Sequence, residues 1–168
     1  FSYESVFRYL RCGMSDITRE ETDILENYVI ALGIRGLKKW KETWVRTYRG
    51  MKPEKILEIN GIREKFIEET ENLGICFSGR KRSVDEYCRS LYEFITGSKI
   101  QEKLKQQERM FQRNGDKAME KEYAQIYGIV MDLLDKMAEI LGNEMVSAEE
   151  FRQILETGMA QAKVALIP

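Results

Sequence analysis

The chain has 168 residues, of which 43% are apolar and 33% charged, with a formal net charge of −1. That is apolar material for one domain with a core of ordinary size, and the near-neutral balance gives no global argument for a polyanionic partner. There is no histidine, which removes the commonest general base and metal ligand, and only two prolines, Pro53 and Pro168, which favours helices.

Tyr3 to Cys12 predicts a first helix, with Val6, Phe7 and Leu10 on one side and Gly13 as its stop. Thr18 and Glu21 have capping-box spacing and open a second helix. Ile24, Leu25, Tyr28, Val29 and Leu32 form its buried stripe, and Gly33 and Gly36 stop it. Residues 37–50 read as a short helix followed by loop. Pro53 suits the first turn of the next helix, which runs to about Leu73 through Ile56, Ile59, Ile62 and Phe66, with Gly61 weakening its middle.

Ser78 to Arg82 is a basic turn. Ser83 and Glu86 make a second capping box, followed by an apolar face of Val84, Tyr87, Cys88, Leu91 and Ile95. Gly97 and Ser98 punctuate. Lys99 to Arg113 is helical but very polar, with Ile100, Leu104 and Phe111 as anchors, and Asn114-Gly115 is a turn. The strongest pattern runs from Asp116 to Leu141, where Tyr123, Ile126, Tyr127, Val130, Leu133, Leu134, Met137 and Leu141 mark the stripe of a central strut. Ser147 and Glu150 form a third capping box for a last helix, in which Gly158 and Ala162 permit close packing. Val164 to Pro168 is short and aliphatic and suits the start of a strand. The expectation is an all-α fold: an irregular bundle of about six to eight helices in one domain spanning 1–168, read as a piece cut from a longer polypeptide.

Catalytic chemistry has little to stand on. No phosphate-cradling glycine loop is present, and Gly97-Ser98-Lys99 is only a turn before a helix. Acidic pairs such as Glu20/Glu21, Glu68/Glu69 and Glu149/Glu150 point about 100° apart on a helix and do not converge. Cys12, Cys76 and Cys88 have no metal-ligand spacing, and their odd number argues against a disulfide framework and for a reducing compartment. No apolar run is long enough to span a membrane. No catalytic residue and no metal site is assigned.

Local charge is polarised. Residues 35–55 carry eight basic and two acidic side chains, net +6, while residues 116–156 carry ten acidic and four basic, net −6. Lys38, Lys39, Lys41, Arg46 and Arg49 suit neutralisation of phosphates, and Trp40, Trp44 or Tyr48 suit stacking on bases. The other reading is that the tryptophans pin an irregular segment to the core while the lysines stay in water. Arg80, Lys81 and Arg82 are a second candidate contact, against the ordinary reading of a solvated turn.

Several blocks occur in a familiar order. Glu4-Ser5-Val6-Phe7-Arg8-Tyr9-Leu10 precedes Leu25-Glu26-Asn27-Tyr28-Val29, then Gly33-Ile34-Arg35-Gly36 and Lys39-Trp40. Near the end stand Ser147-Ala148-Glu149-Glu150-Phe151, Glu156-Thr157-Gly158 and Ala165-Leu166-Ile167-Pro168. This order resembles the AddB family, one of the two subunits of the bacterial ATP-dependent helicase/deoxyribonuclease AddAB, in its Firmicutes form.

The resemblance implies a cytoplasmic bacterial parent that forms a heterodimer with an AddA-like helicase–nuclease subunit. Such a complex unwinds and resects double-strand DNA ends for recombinational repair, uses ATP and Mg2+, and pauses its degradation at Chi sequences. An AddB chain resembles a superfamily-1 helicase without working ATPase motifs, joined to an exonuclease domain with a 4Fe-4S cluster. The nuclease carboxylates, magnesium site and cluster cysteines have no counterparts in this chain, so no cofactor is expected in it. On this reading the segment is a helical insertion like a helicase 2B subdomain. Its termini, Phe1 and Pro168, are then expected near each other, with the aliphatic run entering the host's sheet. Its role would be that of an accessory domain contacting DNA or the partner subunit; the alternative is a docking module that touches no nucleic acid.

Overall fold

The computed structural model describes residues 1–164, with side chains through residue 162. Among these residues it contains eight helices and one short antiparallel strand pair, so the chain is all-α. The helices are α1 Tyr3–Arg11, α2 Arg19–Leu32, α3 Gly36–Lys41, α4 Lys55–Cys76, α5 Val84–Gly97, α6 Ile100–Arg113, α7 Lys117–Leu141 and α8 Ala148–Val164. The expected strand at 164–168 and the expected nearness of Phe1 and Pro168 lie outside the described residues, apart from Val164, which ends α8.

The chain divides into two compact units, Phe1–Gly74 and Ile75–Pro168. The stretch of net +6 belongs to the first and the stretch of net −6 to the second. Each unit has its own apolar core.

In the first unit, Val6, Phe7 and Leu10 of α1 meet Leu25, Tyr28 and Val29 of α2 and Ile59, Ile62, Phe66 and Ile67 of α4. The capping box at the start of α2 forms in both directions: the Thr18 hydroxyl accepts from the Glu21 N–H, and the Glu21 carboxylate accepts from the Thr18 N–H at 2.8 Å. Gly33 ends α2 in the left-handed region at φ 63°, where an L side chain would be strained. Gly36 opens α3 instead of helping to stop α2, since its φ of 76° turns the chain back into a helix. Pro53 sits in the turn just before α4 and not within it: the Ile56 N–H donates to the Pro53 carbonyl at 3.2 Å, and regular helix begins at Lys55.

In the second unit, α7 packs against α5, α6 and α8 and is the strut its stripe predicts. Leu134 and Met137 are fully buried, while Tyr123, Ile126, Tyr127 and Val130 further up the helix are half-covered. Tyr87 stacks on Phe151 with centroids 4.8 Å apart, and Phe77 meets both rings. Gly158 lets α8 approach α7 closely: a Cβ there would stand 2.6 Å from Leu133 Cδ1. Both remaining capping boxes form, Ser83 with Glu86 and Ser147 with Glu150. Arg82–Ser83 pairs antiparallel with Met145–Val146, tying the entry of α5 to the entry of α8.

Candidate nucleic-acid interface

The most basic segment of the first unit is held from within by aromatic and amide groups. Trp40 of α3 is 1% exposed and lies against Phe66, Trp44 and Phe7, with centroids 4.8, 5.3 and 6.5 Å away. Trp44 follows in irregular chain, stacks on Tyr28 at 5.0 Å, and donates its indole N–H to the Lys39 carbonyl at 2.8 Å. The Tyr28 hydroxyl donates to the Arg46 carbonyl at 2.6 Å, and burial pushes its phenol pKa up. Neither indole has a face open to a base, and Tyr48, edge-on to Tyr28, is half-buried.

Two polar residues of α4 complete the anchor. Asn60 accepts from the Trp44 N–H at 3.0 Å and donates to the Trp44 carbonyl at 2.7 Å, pairing with that residue as a neighbouring strand would. Arg63 is buried, with Nε donating to Asn60, Nη1 to the Trp40 carbonyl and Nη2 to Glu64, and its guanidinium lies 5.8 Å from the Trp44 ring centre. Such a charge is tolerated inside because its donors are satisfied. Sequence reasoning passed over both residues. The signal was there: positions 60 and 63 fall within the apolar stripe of Ile56, Ile59, Ile62 and Phe66, where a polar residue needs a partner.

With the segment pinned at residues 40, 44 and 46, its cations are left outside. Lys38, Lys39, Lys41, Arg46 and Arg49 are all exposed. Lys39 bonds Glu42 at 2.8 Å and Lys41 pairs with Glu71, so these two are partly neutralised. Lys38, Arg46 and Arg49, together with Arg35 and Lys52, have no carboxylate partner among the described residues. The unit therefore presents five uncompensated cations on and around α3 and the loop after it.

The 80–82 turn of the second unit differs. Arg82 is half-buried and turns inward, donating Nε to the Cys76 carbonyl at 2.8 Å and so capping the end of α4, with Glu86 beside it at 3.5 Å. Lys81 lies 3.4 Å from Glu150. Arg80 is left exposed without such a partner among the described residues.

Two concavities among the described residues each carry an ionisable side chain that is already committed. In the first unit a concavity of about 450 Å³ brings together Glu4, Arg35 and Tyr3, whose hydroxyl is committed to Glu26 at 2.6 Å. In the second, a groove of about 620 Å³ between α7 and α8 has Glu150 as its charged residue, and that carboxylate caps α8. Among the described residues no three of His, Cys, Asp and Glu are placed to hold a metal ion, and no helix is long and apolar enough to cross a membrane. Cys12 is exposed, Cys76 half-buried and Cys88 buried, all unpaired, and burial with Asp85 and Asp135 nearby pushes the Cys88 thiol up to about 11.

No family model matches the chain. Individual relatives do. The chain is 40% identical over its whole length to the AddB subunit of the ATP-dependent helicase/deoxyribonuclease of Lachnoclostridium phytofermentans. Identity to the corresponding subunit is 38% in Clostridium acetobutylicum and 39% in Caldanaerobacter subterraneus subsp. tengcongensis, again across the whole chain. In each case the chain spans about 15% of the relative's length.

Proposed function

We propose that this chain, similar over its whole length to one segment of ATP-dependent helicase/deoxyribonuclease B subunits, is a helical accessory region of such a subunit of the AddB family, serving double-strand break resection and recombinational repair. Its work is contact with DNA through the first unit's cation cluster. The observation that carries this reading is the pairing of a rigidly buried inside with an uncompensated outside. Trp40, Trp44, Asn60 and Arg63 hold the backbone of the segment in place, and Lys38, Arg46 and Arg49 face water with no carboxylate beside them among the described residues. Cations on an anchored backbone bind phosphates without the cost of ordering the chain that carries them, and they do so without reading sequence.

On this proposal the ATP hydrolysis, strand cleavage and metal chemistry of the parent belong to its other regions and to an AddA-like partner subunit. The segment contributes position and surface charge. The test is titration of a forked duplex at low salt with the full-length subunit in its complex, native and with Lys38, Lys39, Arg46 and Arg49 reversed to Glu. Loss of affinity of about tenfold or more is expected. Unchanged affinity together with unchanged unwinding overturns the DNA-contact reading.

The alternative is docking on the partner subunit with no nucleic-acid contact. Polarised charge suits that role too, since complementary patches speed and orient association. Reversal of the same four residues would then release the partner subunit and leave DNA affinity in place.

A further inference from the structure

A second row of cations stands on α6 of the other unit. Lys105, Arg109 and Arg113 recur at every fourth residue and are all exposed. That spacing puts them on one side of the helix, each about 6 Å further along its axis. None of the three has a carboxylate partner among the described residues. Elsewhere in the same unit Lys81, Arg82, Arg89 and Arg152 each lie beside one, while Arg80, Lys99, Lys117, Lys121 and Lys136 stand without one like the row, but no three of them recur at every fourth residue. Like charges four residues apart work against the helix, and of the three only Arg113, in the last turn, gains from the helix dipole.

The rest of α6 explains why the row faces outward. Leu104 is buried, Ile100 and Phe111 are half-buried, and Phe111 meets the Tyr123 ring of α7 at 5.1 Å. Exposed Gln101, Gln106 and Gln112 flank the cations and add uncharged donors. The acids of the helix are Glu102, at the N-terminal end of the outward side, and the half-buried Glu108 toward one edge.

We propose that the Lys105–Arg109–Arg113 row is a second contact for the sugar–phosphate backbone of duplex DNA. The choice of DNA as the polyanion rests on the function proposed above; the row itself does not. It runs about 12 Å, and a duplex strand advances about 3.4 Å per phosphate, so it lies beside about three or four phosphates. Contacts of this kind hold the duplex without reading its bases.

The experiment uses the full-length subunit in its complex, with Lys105→Gln, Arg109→Gln and Arg113→Gln combined. Glutamine keeps the helix, being nearly as good a helix former as lysine and arginine. Affinity for a blunt duplex is measured across a salt series. The slope of log affinity against log salt is expected to become shallower by about 2–3, since each phosphate contact contributes about 0.9. The single variant Arg109→Gln should shift it by about 1. The charge-preserving set Lys105→Arg, Arg109→Lys and Arg113→Lys should leave it unchanged.

An unaltered slope in the triple glutamine variant overturns the proposal. So does an unaltered slope accompanied by loss of the partner subunit, which would make the row a dock for an acidic protein face. A parallel variant with Lys38, Arg46 and Arg49 changed to Gln separates the two claims. If that variant alone weakens binding, the α6 row falls and the proposed function stands. If neither variant changes the slope, both fall.

Discussion

The side-chain amide of Asn60 brackets the backbone of Trp44, accepting from its N–H at 3.0 Å and donating to its carbonyl at 2.7 Å. With the Arg63 and Tyr28 hydrogen bonds to the Trp40 and Arg46 carbonyls, this contact sets the direction of an irregular segment and so which of its side chains face water. Asn60→Leu fills the same space but leaves the Trp44 N–H, the Trp44 carbonyl and Arg63 Nε short of partners. A loss of about 3 kcal/mol is expected, since each buried group left unsatisfied costs about 1–3 kcal/mol. Chemical denaturation followed by tryptophan fluorescence reads the loss, and a variant as stable as the native chain would show that Asn60 is no anchor.

Trp44→Phe separates structure from binding. It keeps an aromatic ring against Tyr28 but deletes the donor to the Lys39 carbonyl. Stability should fall by about 1–2 kcal/mol. Duplex affinity, measured well below the melting temperature, should stay within about twofold of the native value. A large affinity loss in a folded Trp44→Phe chain would mean that the indole meets DNA after all.

Three helices begin with capping carboxylates whose pKa values are held below the ordinary 4.5. Glu21 is lowered first by the Lys65 ammonium and then by the Thr18 N–H, Glu86 by the Ser83 N–H and Glu150 by the Ser147 N–H. A carboxylate with a depressed folded-state pKa adds stability above its unfolded value, and loses it as pH falls through the folded value. Stability should therefore drop as pH falls through and below 4.5. Combined Glu21→Gln, Glu86→Gln and Glu150→Gln, which keeps box geometry, should flatten that drop. Urea denaturation at several pH values checks it.

Glycines inside helices divide by what surrounds them. Gly61 in α4 has open space where a Cβ would go, so Gly61→Ala should stabilise by about 0.5–1 kcal/mol through helix propensity. Gly158→Val drives a branched side chain into Leu133 and should destabilise by about 1–3 kcal/mol. Thermal melting of the two variants should move in opposite directions.

The helical class, the three capping boxes and the long strut were legible because each is written locally, in 3.6-residue periodicity or in a fixed four-residue spacing. The Arg82–Ser83 and Met145–Val146 pair was not, since two residues cannot display an alternating pattern. The turn between α5 and α6 also misleads. Gly97 closes α5 as an ordinary helical residue, and Lys99 takes the left-handed conformation at φ 52°. In the candidate interface, composition located the basic segment but could not sort it. Trp40, Trp44 and Arg82 turn inward, and Lys38, Arg46 and Arg49 turn outward, because of partners 16 to 23 residues away on α4 and of carbonyls at its end. Long-range pairing of that kind leaves its trace only as polar residues within an apolar stripe, at Asn60 and Arg63.

The most direct test of the central claim is site-specific photocrosslinking from position 49 in the full-length subunit, in complex with its partner and loaded on a forked duplex. The predicted result is an adduct on the duplex strands, lost as salt rises. A crosslink found solely on the partner, with none on DNA, would contradict the claim.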